Sequence, residues 1–72
     1  MDEQWHVEVY RFGASDALSY DIFDEFEAAL AHGRALKEAS GAGYTVRFFG
    51  PSSANRAQRD ALRAIGSYAN WP

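Results

Sequence analysis

From Trp5 to Phe12 the chain alternates without a break. Trp5, Val7 and Val9 point to one side; His6, Glu8, Tyr10 and Phe12 point to the other. A period of two over this length is a strand with one apolar and one mixed face. Such a strand needs a packed layer on one side only, so the chain has to supply cover for Trp5, Val7 and Val9 and can leave the opposite face open.

The same alternation returns at Tyr44–Phe49. Tyr44, Val46 and Phe48 share one face, Thr45, Arg47 and Phe49 the other, and Gly50-Pro51 ends the run. Residues 13–17, Gly-Ala-Ser-Asp-Ala, form a turn, after which Leu18, Tyr20 and Ile22 alternate with Ser19 and Asp21. This spacing predicts a second strand and a hairpin, with Tyr20 and Ile22 on the side of Trp5. Leu18, Ile22, Phe26 and Leu30 are also four apart, which leaves open one long helix from Ser15. Asp24 followed by Glu27 favours the strand, because the pair matches a capping box that starts a helix further on.

From Glu25 to about Ser40 the period is helical, with Phe26, Ala29, Leu30, Gly33 and Leu36 on the inward stripe and Gly41 as the stop. Gly33 in mid-helix costs about 1 kcal/mol against Ala, which points to close approach of another backbone there. A second helix is expected from about Ala54 to Ile65, capped by Ser52 or Ser53, with Ala57, Ala61, Leu62 and Ile65 inward and Gly66 closing it. The tail, residues 67–72, is too short for a further element, although Trp71 can dock on the core.

These elements define an α+β chain of order β-β-α-β-α, a single domain over residues 1–72. A three-stranded mixed sheet in the order 2-1-3 follows. The third strand runs antiparallel to the first, the crossover helix is right-handed, and both helices lie on one face. A chain of this size has a modest core. With no Cys there is no disulfide to reinforce it, and the cytoplasm is the expected compartment. No apolar run is long enough to span a membrane. With two His and no Cys, neither a metal nor a cofactor is expected.

The open face would then carry His6, Glu8, Tyr10, Phe12, Ser19, Asp21, Thr45, Arg47 and Phe49. Large aromatics among polar groups are the texture of a protein interface. Glu8, Tyr10, Phe12, Arg47 and Phe49 are therefore the candidate interface, and the expected partner is protein, a second copy of this chain. Covering by the tail is the competing reading. Charge is also segregated: residues 1–30 hold eight acids and one base, residues 31–72 six bases and two acids. Arg56, Arg59 and Arg63 fall on one exposed stripe of the second helix and are candidates for binding an anion or an acidic partner. Nucleic acid is the alternative partner for that stripe, disfavoured because the acidic half would repel it. A third reading makes the acidic half an inhibitor of a basic, nucleic-acid-binding protein. No nucleophile motif surrounds any Ser, and an enzyme is not expected.

Overall fold

The structure, a computed structural model, describes residues 4–40 and 43–70, the side chain of Ser40 aside. The elements are β1 (Trp5–Arg11), β2 (Ala17–Phe23), α1 (Phe26–Ser40), β3 (Tyr44–Gly50), α2 (Arg56–Arg63) and β4 (Ser67–Asn70). They build one four-stranded sheet in the order β2-β1-β3-β4. β1 pairs antiparallel with both β2 and β3, and β4 lies parallel to β3. Two strands and a crossover helix thus occur twice, as β2-α1-β3 and β3-α2-β4.

Both helices pack on the face that carries Trp5, Val7, Val46 and Phe48. These four bury completely or nearly so against Ala29 and Leu30 of α1 and Leu62 of α2, with Ala54 closing the cluster. Gly33 of α1 faces Phe48, and a Cβ there would run into the ring. The missing side chain does mark a close approach, but of an aromatic ring instead of a backbone. Trp5 meets Phe26 edge to face, with ring centroids 5.2 Å apart.

Three boundaries differ from expectation. Residues 67–70 form a fourth strand, because Gly66 lets the chain pass against the backbone of Val46; a Cβ at Gly66 would strike the Val46 carbonyl oxygen. The cap of α2 is Asn55, not Ser52 or Ser53. Its side chain accepts from the Gln58 N–H at 2.8 Å while Gln58 accepts from the Asn55 N–H at 2.9 Å. The Ser pair lies in the preceding turn, closed by Ala54 N–H donating to the Pro51 carbonyl. In α1 the first helical bond runs from Ala29 N–H to the Glu25 carbonyl, so Glu25 holds the cap position and the Asp24/Glu27 pair is one residue out of register for a box. Trp71 lies outside the described residues.

Candidate functional site

Register decides what the open face carries. β1 and β2 pair Trp5 with Phe23, Val7 with Asp21, His6 with Ile22 and Glu8 with Tyr20. Directly opposed residues share a face, so Tyr20 and Ile22 belong to the open face and Asp21 and Phe23 to the helix side. This reverses the expected facing of β2, and a shift of a single residue is enough to do it. The helix side tolerates Asp21 because His32 of α1 meets it, Nε2 to Oδ2 at 3.1 Å, while Phe23 packs on the His32 ring. A bulge between Val9 and Tyr10 leaves Leu18 as the extra residue of β2.

The open face is therefore a grid of three rows. Ile22, His6, Phe49 and Ala69 form the first; Tyr20, Glu8, Arg47 and Ser67 the second; Tyr10 and Thr45 stand in the third. No helix covers it. Tyr20 is 43% and Ile22 48% exposed, high for large apolar side chains in a strand, and Leu18 beside them is 54% exposed.

Four of the five expected interface residues come together on this grid. Glu8 and Arg47 are cross-strand partners at its centre. Glu8 Oε1 accepts from the Tyr10 hydroxyl at 3.0 Å, a bond that raises the Tyr10 pKa above its ordinary value because ionisation would break it. The Arg47 guanidinium lies 5.4 Å from the ring centroids of both Tyr10 and Phe49. Arg47 meets rings on its own chain, and its Glu8 neighbour is held by a tyrosine. Phe12, the fifth, stands apart: β1 ends at Arg11, and Phe12 sits in the following turn, 77% exposed, with its N–H donating to the Gly43 carbonyl.

His6 is the buried member of the open face, only 6% exposed. Its Nδ1 hydrogen-bonds with the Tyr20 hydroxyl, and burial lowers its pKa below the usual 6.5, against a smaller opposing pull from Glu8. Sequence reasoning missed Tyr20 and Ile22 as face residues. The sequence carries a signal of the opposite phase in Phe23, a large aromatic next to Ile22, and pairing with β1 decides between the two.

The segregation of charge along the chain becomes a segregation in space. Asp16, Asp21, Asp24, Glu25 and Glu27 flank the β2 edge, whereas α2 with its arginines packs on β4 at the opposite edge. The α2 stripe is drawn partly inward. Asp60 lies 3.8 Å from Arg56 and 3.6 Å from Arg63, and Arg59 donates to the Ala54 carbonyl at 2.7 Å. An open cleft of about 290 Å³ lies at the hairpin end of the face, lined by Tyr10, Arg11, Thr45, Arg47 and the turn from Gly13 to Ser15.

Among the described residues no helix is long and apolar enough to cross a membrane, and no three acidic or imidazole side chains gather as metal ligands. No family model matches the chain, and no match was found among curated proteins or solved structures.

Proposed function

We propose that this chain is a small non-enzymatic interaction module, cytoplasmic in its setting, that self-associates through the open face of its sheet. The observation that carries this reading is the mixed grid: Tyr20 and Ile22 stand exposed beside Glu8, Tyr10, Arg47 and Phe49. Apolar anchors around a small polar centre make an interface that is both adhesive and selective. A core of this size also gains from a second copy, since any partner that binds only the folded state stabilises it by mass action.

The test is the absolute mass by light scattering over a concentration series, for the native chain and for Ile22→Asp. A mass that rises to twice the monomer's and stays at the monomer's in the variant is the expected result. A native chain that remains monomeric to millimolar concentration overturns the reading. The basic stripe draws less support as a nucleic-acid site, because Asp60 offsets one of its three charges and Arg59 is bonded to the backbone.

A further inference from the structure

We infer that two copies of this chain pack open face to open face about a twofold axis running parallel to the strands, between β1 and β3, so that Glu8 of each copy meets Arg47 of the other. This geometry rests on the self-association proposed above and gives it a definite arrangement.

Glu8 and Arg47 are direct cross-strand partners in the middle row of the grid, on the two central strands. A twofold axis between those strands, lying in the plane between the stacked sheets, keeps each row in place and exchanges its left and right ends. β1 then lies over the partner's β3, and β2 over the partner's β4. Each carboxylate faces a guanidinium, twice per dimer.

Size follows charge. Tyr20 comes over the partner's Ser67, and Ile22 over the partner's Ala69, so the large, exposed side chains of β2 meet the small ones of β4. Large against small is what interdigitation across stacked sheets requires. The twist between aligned sheets is about 30° and displaces the outer rows most, so the central Glu8–Arg47 contact is the one best kept.

Other arrangements of the same surfaces lack this match. A twofold axis across the strands places β2 over β2, bringing the acidic edges together and Tyr20 over Tyr20. Extending the sheet by pairing β2 edge to edge, centred on Tyr20, sets Asp16 opposite Asp24. Both put like charges against each other, and like charges held across an interface are a strong selection against a pairing.

Within one chain, Glu8 and Arg47 form no ion pair with each other; the carboxylate accepts from Tyr10 and the guanidinium lies against the Tyr10 and Phe49 rings. Both are thus oriented and still have bonding capacity for a partner. Sheet spacing gives a face of about 19 by 23 Å, roughly 900 Å² over the two copies and in the size class of weak, transient interfaces, so association is to be read from micromolar to millimolar concentration.

The experiment is a charge exchange. Glu8→Arg alone sets two arginines against each other across the interface, and Arg47→Glu alone sets two glutamates. Each single variant should lose self-association by about a hundredfold or more. Mixed together the two should form a heterodimer, because each repulsive pair becomes attractive. The double variant E8R/R47E should self-associate like the native chain yet refuse to pair with it, and this keeps the test open even if a single variant folds poorly. Native mass spectrometry of the mixtures reads these results, with the native chain nitrogen-15-labelled where it meets the double variant, because the two have the same mass. A native dimer in which the mixed singles stay monomeric, or in which the double variant pairs freely with the native chain, overturns the axis and leaves self-association standing. A native chain that is monomeric throughout, or that is captured only by a foreign protein, overturns both.

Discussion

The two faces of the sheet are built from alternate residues of the same strands, yet they solve different problems. On the covered face Trp5, Val7, Val46 and Phe48 are nearly or fully buried, and Gly33 of α1 has given up its side chain to let the Phe48 ring in. On the open face Glu8, Tyr10, Arg47 and Phe49 hold one another through a hydroxyl, a carboxylate, a guanidinium and two rings, with no helix among the described residues packed above them. Burial of apolar surface dominates folding, so stability is concentrated on one face. The other is free to be polar and selective. The difference teaches that a short chain can spend one phase of its alternation on folding and the other on association.

The largest expected break in that comparison comes from the covered side. Phe48→Ala removes the largest fully buried side chain and should cost about 3–5 kcal/mol. That is about the whole net stability of a single core this small. Urea unfolding should find the variant largely unfolded in water, whereas Ile22→Asp leaves the chain folded. A folded, cooperative Phe48→Ala would mean that the covered face is not where stability resides.

Gly33→Ala sets propensity against packing. In an exposed helix the change would gain about 1 kcal/mol; here the new methyl meets Phe48, and overpacking of about 1–3 kcal/mol outweighs the gain. A net loss of about 1 kcal/mol in chemical denaturation is expected. An increase in stability would show that α1 can lift from the sheet without penalty.

How much of this was legible in the sequence depends on how much of each element is decided locally. β1 and β3 could be read because their apolar phase coincides with their buried phase, and α1 because its stripe is long. β2 could not. Leu18, Tyr20 and Ile22 give one phase, Phe23 the other, and only pairing with β1 chooses between them. β4 has a single large apolar residue, Tyr68, and becomes a strand through its parallel partner and the space left by Gly66. Asn55-x-x-Gln58 was a readable cap, overshadowed by the Ser pair just before it. Of the site, Glu8, Tyr10, Arg47 and Phe49 followed from alternation alone. Tyr20 and Ile22 required the register.

A subtler prediction concerns His6, an open-face side chain that is buried like a core residue. Its folded pKa is lowered from 6.5, chiefly by burial, so the neutral form is the one the fold favours. Above 6.5 both folded and unfolded chains hold it neutral, and it adds no pH dependence. As pH falls below 6.5 the unfolded chain takes up the proton first, and stability drops until the lowered folded pKa is passed. Unfolding midpoints should therefore fall between about pH 7 and about pH 5.5, and less so in His6→Gln. An equal fall in both chains would assign the effect to other groups.

The smallest effect on stability should come from the face that matters most for association. Phe12→Asp and Ile22→Asp alter exposed side chains and should shift monomer stability by no more than about 0.5 kcal/mol. Ile22→Asp should nevertheless abolish self-association. Phe12, which lies beyond the end of β1, should weaken it less. A Phe12 variant more damaging than the Ile22 variant would move the interface from the sheet to the hairpin turn.

The central claim, that one face folds the chain and the other joins it to a second copy, is tested most directly by amide chemical shifts of nitrogen-labelled protein through a dilution series. Concentration-dependent changes centred on Glu8, Tyr10, Tyr20, Ile22, Arg47 and Phe49, with α1 and α2 unmoved, are the predicted result. Changes centred on α2, or none up to millimolar concentration, would contradict it.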